Sequence, residues 1–172
     1  YFPNFVSSAE DFIESYNHWS GAIVLTSDTS SGSLINNGPL WKYKLNEFDN
    51  NHLLDGLTQL VKSYYLAGAE EIMVSASPTM HWKRNQNGDI EEFLNKILVI
   101  KNQPYRLLLG SAHQMGTARI NPNPEHGVID LNGKVHGLEN VYIVDASTFP
   151  RCSGVNPMIS IQSMSHFLMS KI

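Results

Sequence analysis

Between Asn50 and Gly68 the chain carries one unbroken stripe of apolar side chains: Leu53, Leu54, Leu57, Leu60, Val61, Tyr64 and Tyr65 recur every three or four residues. Only an amphipathic helix lays such a set on one face. Asp49 or Asn50 can cap its start, and Gly68 stands where a left-handed residue would end it. On both sides of this helix the pattern changes. Upstream, residues 21–26 are β-prone, residues 28–32 have turn chemistry, and residues 40–45 alternate apolar with polar, which predicts antiparallel strands. Downstream, residues 71–75 read as a buried strand, residues 83–89 as an exposed loop, and residues 90–100 as a short helix with Phe93, Leu94, Ile97 and Leu98 on one side. Residues 141–145 read as a compact strand, and Asn156-Pro157 opens a last helix carrying Ile161, Met164, Phe167 and Leu168. A first short helix is expected over residues 9–16. Strands, helix, strands, helix in that order predict an α+β fold rather than a regular βαβ series.

Composition narrows what such a fold can do. Twelve Lys and Arg against sixteen Asp and Glu leave a net charge of −4, which supplies no basic face for a phosphate backbone. The apolar runs are far shorter than the roughly 20 residues of a membrane-spanning helix. A single cysteine, Cys152, cannot form an internal disulfide. The sequence opens on Tyr1, with no basic and then apolar leader before the first elements, so no signal peptide is expected and the chain reads as a fragment of a larger protein.

Chemistry-bearing residues concentrate in the last third. A helix opened by Asn156-Pro157 would present unpaired N–H groups and a partial positive charge, suited to an electron-rich group, and Gly154 just before it allows close backbone approach. The same pair also suits an ordinary capped helix. His113 lies in Ser111-Ala-His-Gln-Met-Gly-Thr117, bracketed by Gly110 and Gly116, where a strand end opening on a cleft is expected. Imidazole is the side chain best matched to proton transfer near neutrality. Asp145, closing a strand, can face a ligand crevice or cap the turn that follows. Ser147, Asp145 and His113 include the residue types of a hydrolytic triad, yet no Gly-x-Ser-x-Gly elbow occurs. His113, His126 and His136 are too widely spaced for a zinc motif.

Four ordered motifs then coincide: Ser111-Ala-His-Gln-Met-Gly-Thr-Ala-Arg119, Gly127-Val-Ile-Asp130, residues 135–147 ending in Val-Asp-Ala-Ser147, and Ser153-Gly-Val-Asn-Pro157. Together they resemble the C-terminal signature of the glucose–methanol–choline (GMC) oxidoreductases. Gly154-Val-Asn-Pro-Met-Ile-Ser-Ile-Gln-Ser163 is most similar to the long-chain fatty alcohol oxidase branch, as are residues 24–32 and 66–72. The resemblance implies an FAD enzyme that oxidises a long-chain primary alcohol to the aldehyde and passes the electrons to oxygen as hydrogen peroxide. His113 would be the active-site base and Asn156 the second active-site residue, bonding the substrate oxygen or the flavin. Asp145 and Ala146 would approach the ribityl–pyrophosphate portion of FAD, with Asn156, Pro157 and Met158 at the pyrimidine edge of its ring.

By the same resemblance, residues 1–112 are a partial substrate domain with an antiparallel sheet. Residues 113–172 are the strand–helix segment that returns to complete an FAD-binding domain. The family often has Cys where Ala118 stands, and no Gly-x-Gly-x-x-Gly fingerprint occurs, so the dinucleotide cradle is expected outside this chain. The expected partners are a long-chain alcohol, oxygen, the missing N-terminal FAD-binding portion and, peripherally, a membrane; nucleic acid is not among them. A sterol-type oxidase, or a non-catalytic remnant that binds lipid, remains an alternative. Ser170-Lys-Ile172 resembles a peroxisomal address and reads equally as a helix end.

Overall fold

A computed structural model describes residues 13–35, 40–101, 103 and 105–172. The chain divides into two compact units, Tyr1–Leu109 and Gly110–Ile172. Helices alternate with two small antiparallel sheets, so the class is α+β.

In the first unit, residues 13–15 are helical and a 3₁₀ turn follows at Tyr16–His18; the earlier part of the expected first helix lies outside the described residues. Strand β1 (Gly32–Ile35) pairs with β2 (Leu40–Tyr43), in the register Leu34 opposite Trp41. Residues 21–26 join no ladder among the described residues, contrary to expectation. Val24 instead packs against the long helix α1 (Glu47–Leu66), where Gly56 lets it approach: a Cβ on Gly56 would fall 2.5 Å from Val24 Cγ1.

The start of α1 also corrects the expectation. Asn46, not Asp49 or Asn50, is the cap, and its side chain accepts from Asp49 N at 2.8 Å. Asp49 then falls in the first helical turn and is fully buried. The far end matches the sequence. Gly68 has φ +90, and Gly68 N and Ala69 N donate to Tyr65 O and Tyr64 O. That pair of bonds is the left-handed closure a glycine permits.

Strand β3 (Glu71–Val74) pairs with β4 (Met80–Lys83), the latter unforeseen in the sequence. Helix α2 (Ile90–Val99) is capped by Asp89. Leu54 and Val61 of α1, Ile72 and Val74 of β3, Trp82 of β4 and Phe93, Leu94 and Ile97 of α2 form one core, with Ile97 wholly enclosed. Leu98, expected on the buried side of α2, is exposed, and Ile90 takes its place.

The second unit contains little regular structure before its last helix, α3 (Met158–Met169). Its framework is a set of single bridges, Ile120 with Ile129, Ile129 with Val135, and Lys134 with Tyr142, around the enclosed side chain of Ile129. Gly127 is required at this knot: a Cβ there would lie 2.5 Å from Asn121 Cβ and 2.6 Å from Arg119 O. The strand expected over residues 141–145 is therefore only a short bridged segment. Leu168, fully buried on α3, packs beside Gly133.

Candidate active site

His113 lies in an irregular, exposed stretch rather than at the end of a strand. Its loop is closed on itself, because Gln114 Nε2 donates to Ser111 O at 2.6 Å across it. Gly116, at φ +88, then turns the chain against the carbonyl of Phe149. Directly after that turn Ala118 N donates to Ser147 O and Ile120 N to Thr148 O, both at 3.0 Å. The base of the His113 loop is thus stitched to residues 147–149.

Asp145 caps the 3₁₀ turn Ala146–Thr148. Ser147 donates both its N–H (2.8 Å) and its hydroxyl (2.5 Å) to the same oxygen, Asp145 Oδ1. The Ser147 hydroxyl and amide hold this carboxyl below the usual carboxylate range, outweighing the opposite effect of burial. Oδ2 keeps its acceptor capacity, with no donor among the described residues. Thr148 is buried beneath, its hydroxyl donating to Asp145 O at 2.8 Å. The hydroxyl of Ser165 on α3 donates to Val144 O, which ties the last helix to this turn. A Ser–Asp contact with no imidazole between is not the order a hydrolytic triad needs.

Asn156 is exposed and stands immediately before α3, but it does not cap that helix. Pro157 holds the cap position, with no side-chain hydrogen bond, and its carbonyl accepts from Ile161 N at 2.8 Å. This corrects the expectation of an asparagine cap with proline as the first helical residue. Because proline has no side-chain acceptor, no side-chain cap holds the first-turn amides of α3 among the described residues. No hydrogen bond joins His113, Asp145 and Asn156 to one another among the described residues. A concavity of about 560 Å³ opens in this unit beside Thr117, Arg119, Asn121 and His126; neither His113 nor Asn156 lines it.

The turn cap that the sequence offered at Asp145 is present, and the spacing Asp145-x-Ser147 is its signature. The Gln114 bond depends on the loop conformation and carries no sequence signal.

These features sit in the part of the chain where the four motifs lie, and the chain belongs to the GMC oxidoreductase family, whose model matches residues 18–165. It is similar to two long-chain-alcohol oxidases of Arabidopsis thaliana: FAO3, at 31% identity over 91% of this chain and 22% of that protein, and FAO4A, at 33% over 72% and 17%. It is also similar to the 6'''-hydroxyparomomycin C oxidase of Streptomyces lividus, at 46% identity over 31% of this chain and 10% of that protein. The chain spans about a fifth of the length of the long-chain-alcohol oxidases it matches.

GMC oxidoreductases are typically FAD-dependent enzymes. The residues present fit one end of that cofactor. The uncapped first turn of α3 offers N–H groups and the positive end of a helix dipole to an electron-rich ring edge, and Asp145 Oδ2 offers an acceptor to hydroxyl groups. Both sheets are two-stranded and antiparallel among the described residues, and no Gly-x-Gly-x-x-Gly fingerprint occurs in the sequence.

Proposed function

We propose that the chain is the C-terminal part of an FAD-dependent long-chain alcohol oxidase that converts a long-chain primary alcohol and oxygen to the aldehyde and hydrogen peroxide. Residues 1–112 contribute to its substrate domain, and residues 113–172 return to complete its FAD-binding domain. The observation that carries this reading is similarity to long-chain-alcohol oxidases over nine-tenths of the chain. The first-turn amides that follow Asn156, held by no side-chain cap among the described residues, support it.

Bound FAD would supply the two-electron acceptor. His113 takes the hydroxyl proton at a ring nitrogen as the alcohol carbon is oxidised; its exposed loop leaves the imidazole accessible to substrate. Asn156 donates an amide N–H to the substrate oxygen and orients it, but has no basic nitrogen to compete with His113. The N–H groups at Met158 and beyond would hold the ring edge of the cofactor, Asp145 would accept from its ribityl hydroxyls, and the backbone at Ala146 and Pro157 would shape their approach. A substrate this apolar partitions into bilayers, so the reading includes peripheral membrane association. No helix among the described residues is long and apolar enough to cross a membrane.

The test is the parent polypeptide containing this chain. It should purify yellow and release peroxide with long-chain alcohols. His113→Ala should keep the flavin spectrum while kcat falls by about 10²–10⁴-fold, the usual contribution of a general base. Unchanged turnover in that variant would remove His113 from the chemistry.

A further inference from the structure

We propose that Ser147 is a positioning residue for the cofactor: its hydroxyl fixes the plane of the Asp145 carboxylate so that Oδ2 meets the hydroxyl groups of the ribityl chain of FAD. The inference rests on the reading above, that the parent enzyme holds FAD with Asp145 toward its ribityl hydroxyls, and it adds the residue that aims this contact.

Asp145 is exposed and Ser147 is half-buried, so the carboxylate is open to a ligand while the group that holds it is embedded in the fold. The backbone of Asp145 is fixed by Thr148, whose N–H and hydroxyl both donate to Asp145 O, at 3.2 and 2.8 Å. The side chain is fixed by Ser147, whose N–H at 2.8 Å and hydroxyl at 2.5 Å converge on one oxygen, Oδ1.

The amide bond needs no serine. Any residue except proline at position 147 donates an N–H, and that bond by itself closes the turn after an aspartate. The hydroxyl bond is additional. The last torsion of an aspartate side chain is broad and roughly two-fold, so a carboxylate held by one donor swivels. Two donors on Oδ1 remove that freedom and favour the ionised form. Oδ2, with no donor among the described residues, then keeps its acceptor sites in a set direction.

An aimed anionic oxygen can only accept, which suits a ligand that brings O–H donors and repels one that brings phosphate charge. Of the parts of FAD, the polyol chain has that chemistry. Ser147 is also joined to the His113 loop, but through its backbone: Ser147 O accepts from Ala118 N at 3.0 Å. Ser147→Ala therefore deletes the hydroxyl bond and leaves this strut in place.

The experiment uses the parent polypeptide stripped of flavin, with its Kd for FAD measured by titration and its Tm measured alongside. Ser147→Ala should weaken FAD binding by about tenfold, the low end of what a hydrogen bond to a charged group contributes. Ser147→Thr, which keeps the hydroxyl, should bind within about threefold of the original. In an Asp145→Ala background, Ser147→Ala should change Kd by less than about twofold, because the group it aims is gone. An unchanged Kd in Ser147→Ala, with or without a fall in Tm, would make the hydroxyl a turn-stabilising group only. A threonine variant as weak as the alanine one would show that the hydroxyl is not the cause, and losses that multiply in the double variant would show that Ser147 acts other than through Asp145. Any of these results overturns the proposal. FAD binding and peroxide production by the unmutated parent report separately on the oxidase reading.

Discussion

Asp49 shows what one side chain can organise. Its carboxylate, 1% exposed, accepts from Thr29 N (2.9 Å), Thr29 Oγ1 (3.0 Å), Ser30 N (2.8 Å) and the Ser30 hydroxyl. Asn46 closes the arrangement, donating its Nδ2 to Thr29 Oγ1 and its backbone N–H to Ser30 Oγ. Burial alone would raise the pKa of this acid, but the Ser30 and Thr29 donors together prevail and lower it. All four donors favour the ionised form, so Asp49→Asn should destabilise the chain by about 1–3 kcal/mol at neutral pH. The direction of the pH dependence follows. A carboxyl whose native pKa lies below its unfolded value contributes fully above roughly pH 4–5, and that contribution vanishes as pH falls through the native value. Melting temperatures of the two proteins measured from pH 7 to pH 3 should therefore converge on the acid side; a gap that stays constant would show that the charge is not what matters. The sequence placed Asp49 at the helix start as a cap. It could not show that residues 28–31 return to meet it, because contacts across 19 and 20 residues have no periodicity.

At the scale of elements, α1 records a conflict between local preference and packing. Glycine inside a helix costs about 1 kcal/mol relative to alanine, yet Gly56 sits mid-helix because Val24 occupies the space a Cβ would need. Valine is stiff about its first torsion and cannot swing aside freely. Gly56→Ala should then destabilise the chain despite the better propensity. In a Val24→Ala background the same change should stabilise by about 0.5–1 kcal/mol. Chemical denaturation of the four proteins in this cycle measures the sign reversal, and stabilisation by Gly56→Ala in the unaltered background would refute the contact. The apolar stripe, the glycine closure and the α2 helix were all readable, since each is a statement about neighbours within a few turns. Strand β4 was not, because its Met80-His-Trp-Lys83 pattern is short and mixed. It becomes a strand by pairing with β3, where His81 and Lys83 both reach Glu71, at 2.8 and 2.9 Å.

For the whole molecule, surface chemistry carries the argument. Trp41 on the first ribbon and Met158, Ile159 and Phe167 on α3 are exposed, although each lies in an element that ordinarily buries such residues. No Gly-x-Gly-x-x-Gly fingerprint occurs in the sequence either. The 172 residues expressed alone should therefore purify colourless and bind an apolar dye, and tight stoichiometric FAD in that preparation, read from its absorbance, would contradict the fit described above. The four family motifs were legible because they are local strings in a set order, and the family assignment agrees with them. Their setting was not: the idea that Asn156 caps α3 followed from its intrinsic preference, whereas the fold gives that position to Pro157 and leaves Asn156 exposed. By itself, the sequence determined the three longer helices, the glycine that closes the first of them, the α+β class and the residues with chemistry to offer, since these depend on side-chain type and spacing along a few turns. Only the tertiary structure decided that Ser147 occupies Asp145 Oδ1, that Val24 meets Gly56 of α1 while residues 21–26 join no ladder among the described residues, and that Arg106 Nε is buried without an acceptor among them. Those outcomes depend on which distant groups meet, and packing and hydrogen-bond satisfaction settle that over the chain as a whole.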